Sequence, residues 1–305
     1  MSFVSNATGA FYERSLSQMS GLRSSLETLQ TQISTGTRIE RGSDDPAAAS
    51  RLRTLSRTER LAEVQADNAD KLARDLTEAG DEVLGVANLL SRARELAIRA
   101  ANDPVGEAGR AAIAEELAQL ELELFDRANA TTLTGEPLFA GTASGPAFVR
   151  AGDGSVSYNG NSEISSVTVA PGTELERGVT GLQIFEFNVN GTPTNAFAVL
   201  SGLAAALQPG VADPAAAARA ALDGLDAAID TTTRSQTVLG TRLAWVEVIQ
   251  ESQQDRALDV AEQQSNLGDT DIGEAIARLQ QTLTALEASQ SSFTRVANLT
   301  LFNAL

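Results

Sequence analysis

Residues 272–286 read IGEAIARLQQTLTAL, and the placement of their aliphatic side chains decides the fold. Ile272, Ile276, Leu279, Leu283 and Leu286 follow at alternating four- and three-residue steps, and Phe293, Ala297 and Leu301 extend the row. This spacing predicts a helix with one narrow apolar stripe in heptad register. The other end of the chain repeats it with Leu16, Met19, Leu22, Leu26, Leu29 and Ile33. A stripe at a chain end has nothing local to cover it, and an isolated helix of this length is marginal in water. Burying one leucine contributes only about 1.5–3 kcal/mol. The two ends are therefore expected to pair with each other and with copies of themselves, ordering as they assemble. All of these residues except Ala297 form the candidate assembly interface.

Working inward, the N-terminal helix is expected over about 11–34, stopping at Gly36. Asp45 then reads as an N-cap with Pro46 in the first helical position. From there Leu55, Ala62, Ala69, Leu76, Val83, Leu90 and Ala97 fall one heptad apart, with Leu72, Ala79, Val86, Ala93 and Ala100 as the second row. A helix from Pro46 to Asn102 would run roughly 80 Å. Asn102-Asp103-Pro104-Val105-Gly106 breaks it. A shorter helix carries Ile113, Leu117, Leu120 and Leu124.

Near residue 130 the period changes to two. Val156 and Tyr158, Val167 and Val169, and Ile184 to Val189 read as strands, while Asn159-Gly160 and Asn190-Gly191 read as tight turns. Helices resume at 196–207. A second Asp-Pro pair, Asp213-Pro214, opens a long return helix to about 267, and Asp271 with Glu274 has capping-box spacing before the terminal helix. The expected fold is mainly α with a β insertion: a long helical hairpin or coiled-coil bundle formed by the N- and C-terminal segments, with a small β-rich domain at its tip. Three parts follow: a terminal coiled-coil assembly domain (1–42 and 268–305), a long-helix bundle (43–136 and 196–267) and an inserted outer β-rich domain (137–195).

Composition narrows the function. Hydrophobic residues make up 42% of the 305 but aromatics only 4%, which suits closely packed aliphatic seams better than a deep ligand pocket. With a net charge of −17 and Lys71 as its only lysine, the chain has no basic stripe for nucleic acid. Lacking cysteine and histidine, it has no disulfide, no thiolate, no imidazole acid–base group and no usual zinc site. No apolar run is long enough to span a membrane, and Met1-Ser2-Phe3-Val4-Ser5-Asn6 does not read as a cleavable secretory signal. Glu115-Glu116 and Glu121/Glu123 are expected to be solvated helix surface, and Asp269 and Asp271 to be capping residues rather than calcium ligands. No enzyme, cofactor or metal is expected.

These residues resemble the flagellins and flagellar hook-associated proteins. The resemblance rests on Ser34-Thr35-Gly36-Thr37-Arg38-Ile39, on Ser43-Asp44-Asp45 opening the long helix, and on Asp271-Ile272 leading into Leu279-Gln280-Gln281 and Ala285-Leu286-Glu287-Ala288-Ser289-Gln290. It covers about residues 1–142 and 215–305. Pro46, Leu138-Phe139-Ala140-Gly141-Thr142 and the Leu-Phe-Asn-x-Leu ending are similar to the hook–filament junction members rather than to flagellin, although Ala304 and Pro137 stand where aromatics are expected. The resemblance implies a structural adaptor in the bacterial flagellum, exported unfolded through the flagellar type III apparatus. Its implied partners are copies of itself in one layer, the hook-side hook-associated protein, flagellin, and an export chaperone covering Leu279, Leu283, Leu286 and Phe293. A flagellin forming the filament itself is the alternative. A chemoreceptor-like signalling hairpin would place no β domain at its tip.

Overall fold

The computed structural model describes residues 2–102 and 105–302, with side chains described within 9–296. Seven helices and six short strands follow in the order α1 (Ser2–Thr35), α2 (Pro46–Ala101), α3 (Glu107–Ala128), β1 (Phe148–Arg150), β2 (Val156–Tyr158), β3 (Ser166–Ala170), β4 (Thr173–Glu176), α4 (Gly181–Phe185), β5 (Glu186–Val189), β6 (Thr192–Asn195), α5 (Ala196–Ala206), α6 (Pro214–Gly268) and α7 (Ile272–Phe302). They form two compact units, Met1–Leu61 with Arg256–Leu305, and Ala62–Asp255. The first carries 11 arginines against 12 acidic residues and the second 12 cations against 28, so the charge of −17 divides as −1 and −16.

In the first unit α1 lies antiparallel along α7, the Tyr12 ring meeting Phe293 edge-on at 5.2 Å. The turn after α1 is held by the turn before α7. Gly36, at φ +74°, ends α1 in the left-handed region that favours glycine. Its carbonyl accepts from the Thr270 N–H at 2.8 Å, and the Arg38 N–H donates to the Gly268 carbonyl at 2.7 Å. The Arg38 guanidinium donates to Leu267 O at 2.6 Å and pairs with Asp45 at 3.5 Å. Asp45 caps α2, accepting from the Ala48 N–H at 3.0 Å. That backbone donor, helped by Arg38, holds the Asp45 carboxyl below its usual range. Asp271 caps α7 through the Glu274 N–H at 3.0 Å, but Glu274 pairs with Arg278 instead of closing the capping box.

In the second unit the α2 heptad rows are buried as their spacing requires: Leu72, Leu76, Val83, Val86, Leu90 and Ala97 are all nearly inaccessible. The strands form three separate antiparallel hairpins rather than one sheet. Two-stranded hairpins are marginal alone, and helices support each of these. Asn68 donates to Thr168 O at 3.0 Å, Gln253 to Val169 O at 2.5 Å, and Arg242 to Gly178 O. Asn129 at the end of α3 acts as a strand edge for Phe148, accepting its N–H at 2.9 Å and donating to its carbonyl at 3.1 Å. Phe185 stacks on Phe197 of α5 at 5.4 Å, Phe148 packs against both at 5.1 Å, and Phe139 meets Phe185 edge-on at 6.4 Å. These rings belong to the same buried cluster as the helix leucines, so the strand-bearing stretch falls inside this unit.

Several local expectations are corrected. Ile184 and Phe185 close the short helix α4, and the strand begins only at Glu186. The Gln183 side chain accepts from the Thr180 N–H at 3.1 Å, which starts a helix where an apolar run alone suggests a strand. Asn190-Gly191, with φ of 51° and 81°, is the two-residue turn of β5–β6. Asn159-Gly160 joins no paired strands, and β1–β2 turns through 151–155. Glu121 is not solvated surface: it is 6% exposed beneath Arg150, which donates to both its oxygens at 2.9 and 3.0 Å. Arg150 also lies 4.8 Å over the Phe125 ring.

Candidate assembly surface

The seam between α1 and α7 follows heptad steps without interruption. On α1 its covered positions are Tyr12, Ser15, Met19, Leu22, Leu26, Leu29 and Ile33; on α7 they are Ala275, Leu279, Thr282, Leu286, Ser289, Phe293 and Val296. Met19, Leu26 and Ala275 are the deepest. Eight of the candidate interface residues thus cover one another inside the chain: Met19, Leu22, Leu26, Leu29, Ile33, Leu279, Leu286 and Phe293. Tyr12, Ser15, Ala275, Thr282, Ser289 and Val296 complete the seam. Counting only large apolar residues passes over them, although three- and four-residue steps from Met19 and Leu279 lead to each.

Four candidates are not in the seam. Leu16 is 56% exposed, Ile272 51%, Ile276 42% and Leu283 40%. With 3.6 residues per turn, all four fall on the same flank of the seam, because equivalent flanks meet when two helices run antiparallel. The α1–α7 pair therefore carries a covered apolar row and, beside it, an uncovered one. Leu301 lies in α7, but its side chain is outside the described residues.

A cleft of about 470 Å³ is lined by Asp75, Glu136, Thr142 and Arg177. Arg177 is already engaged by Asp75 at 2.8 Å and Glu136 at 3.1 Å, which accounts for its raised pKa. Among the described residues no cluster of His, Cys, Asp and Glu is placed to hold a metal ion, and no helix is long and apolar enough to cross a membrane.

Residues 10–144 match the bacterial flagellin N-terminal helical region. Flagellar hook-associated protein 3 of Escherichia coli K12 is 30% identical over 320 aligned residues, which cover 97% of this chain and 98% of that one. The chain belongs to this flagellin and hook-associated protein family. A putative flagellar hook-associated protein from Vibrio parahaemolyticus shares the fold, with a TM-score of 0.69, 22% identity and coverage of 74% of this chain and all of that one. Flagellin D of Vibrio cholerae is 30% identical over 133 residues, 43% of this chain and 34% of its own. Membership makes the chain a structural component of the flagellum, outside the cell, and not an enzyme.

The motifs that carry the family likeness have local physical tasks. Gly36 and Arg38 join the two terminal turns, and Asp45 caps α2. Gly141, at φ +69°, lies so close to the Asn161 and Glu163 carbonyls that a Cβ would meet each at 2.6 Å. Only glycine fits there.

Proposed function

We propose that this protein is the adaptor between the hook-side hook-associated protein and the flagellin filament, and that it polymerises as one layer through α1 and α7. The uncovered row of Leu16, Ile272, Ile276 and Leu283 carries this reading. Covering what remains exposed of each would contribute on the order of 1 kcal/mol. One such contact between two free copies is weak. In a closed layer each copy meets a neighbour on either side, and the hook end supplies a template. A chain that stays monomeric in dilute solution and assembles only at its place on the hook follows from those magnitudes.

Export as an unfolded chain through the flagellar type III apparatus fits a sequence with no disulfides to open. A chaperone on Leu279, Leu283, Leu286 and Phe293 would act before α1 pairs with α7, since that pairing covers three of the four. The stretch 137–195 is proposed to face outward, where the −16 of its unit favours solubility.

A flagellin forming the filament is the second reading, favoured by the match to Flagellin D. The junction role is supported by a match over 97% of the chain against 43%. Immunogold labelling against residues 137–195 separates them: a narrow band between hook and filament is expected, and label along the whole filament would make this chain a flagellin. For the surface itself, Leu283→Asp is expected to abolish incorporation on isolated hooks while leaving circular dichroism and melting unchanged. Normal incorporation of that variant would remove the proposal.

A further inference from the structure

Two charged helix faces outside the terminal pair have no partner in the chain. On α2, Arg53, Arg57 and Arg60 stand at i, i+4 and i+7, all exposed, followed on the same face by Leu61 and Val64, 56% and 57% exposed. On α6, Glu247, Glu251 and Asp255 stand at i, i+4 and i+8, all exposed, with Trp245 and Val248 beside them at 51% and 53%. No ion pair engages any of these six charges among the described residues. The arginine row belongs to the unit of nearly balanced charge, −1, and the α6 carboxylates to the unit that carries −16.

We propose that the α2 face of one copy docks antiparallel on the α6 face of a second copy. In that register Arg53 meets Asp255, Arg57 meets Glu251, and Arg60 reaches between Glu63 of its own helix and Glu247 of the neighbour. The same register brings Leu61 and Val64 onto Val248 and Trp245, so charges meet opposite charges and apolar side chains meet each other. A parallel register pairs the charges and sets Val64 on the exposed Leu258, but leaves both Trp245 and Val248 without an apolar partner. Direction adds a second argument. Within the chain α2 and α6 are antiparallel neighbours, with Gln264 bonded to Glu59 at 2.8 Å and Gln250 to Asp70 at 2.7 Å. An antiparallel contact between α2 of one copy and α6 of another therefore sets the two copies pointing the same way. The contact is heterologous, each copy offering one face and receiving the other, so it propagates into a ring or an open array rather than closing as a two-fold dimer. Exposed pairs of this kind are individually weak and screened by salt, so the contact is expected to be sensitive to ionic strength.

The chain has no cysteine, which makes the test direct. Full-length Arg53→Cys and Asp255→Cys chains are mixed in concentrated solution at low salt and oxidised, alongside Arg53→Cys with Glu247→Cys, and Leu133→Cys with Asp255→Cys as an exposed control. The expected result is a mixed disulfide for 53 with 255, severalfold above the control and lost at high salt. Cross-linking of 53 with 255 at or below the control level would overturn the contact, and preferential linking of 53 with 247 would overturn its direction. Repeating the 53/255 pair in the Leu283→Asp background keeps this surface distinct from the terminal helices. Disulfides that persist there support an independent contact, and their loss would overturn its independence.

Discussion

The two units of this chain are built from the same long helices and reach different ends with them. Between residues 62 and 255 the helix stripes are covered, and the largest fully buried side chains, Phe139, Phe148, Phe185 and Phe197, are 0–1% exposed. Among the described residues of the terminal unit only Met19, Leu26, Ala48 and Ala275 are buried apolar residues, and a second row of aliphatics faces water. The first arrangement completes a core; the second leaves one unfinished. Net charges of −16 and −1 sharpen the contrast, since copies can approach more readily through the unit that carries little charge.

The contrast predicts where substitutions register. Phe185→Ala should have the largest effect, lowering the stability of the 62–255 unit by about 3–5 kcal/mol through the cavity it leaves among three other rings. Chemical denaturation followed by near-ultraviolet dichroism checks this, and a loss shared equally by α1 and α7 would erase the distinction between the units. Glu121→Ala comes next, at about 2 kcal/mol, because it strips a partly covered arginine of both its carboxylate bonds. Glu121→Gln should recover part of that loss, since the amide oxygen still accepts.

In the terminal unit Leu26→Ala should cost roughly 1–2 kcal/mol, less than a fully enclosed leucine because its partner helix covers one side only. Hydrogen exchange should place that loss in α1 and α7 while α2 and α3 keep their protection. The smallest effect belongs to Asp45. Its carboxyl is held below the usual range, so its capping contribution is complete above the unfolded value and fades as pH falls through the folded one. Asp45→Ala should lower the melting temperature at neutral pH, where the cap is fully formed, and should remove that acid-side dependence.

Much of this was legible in the residues. Heptad rows name buried positions such as Leu72, Leu76 and Leu90 because a helix wrapped by neighbours leaves its stripe one place to go. Asp45-Pro46 and Asp213-Pro214 mark helix starts because their chemistry acts within one turn. The exposed flank of the assembly surface was less legible: Leu16 and Leu26 look alike in sequence, and only the angle at which α7 lies on α1 separates them. Small and polar seam positions such as Ser15 and Thr282 carry no hydrophobic signal at all. Ile184 reads as strand from sequence because a short apolar run fits strand and helix equally, and the deciding bond comes from Gln183. Glu121 was misread because its partner, Arg150, is a strand residue brought there by tertiary packing.

One feature of the α6 face serves the experimenter directly. Trp245 is the chain's only tryptophan and stands half in water. Its emission in the free chain should already resemble that of a solvated indole, so unfolding will move it little. Covering it with the aliphatic side chains of a neighbour would shift the emission to shorter wavelength and shield it from dissolved quenchers. The protein thus carries its own optical reporter, dim to folding and bright to docking, and lateral association can be followed in real time without a dye.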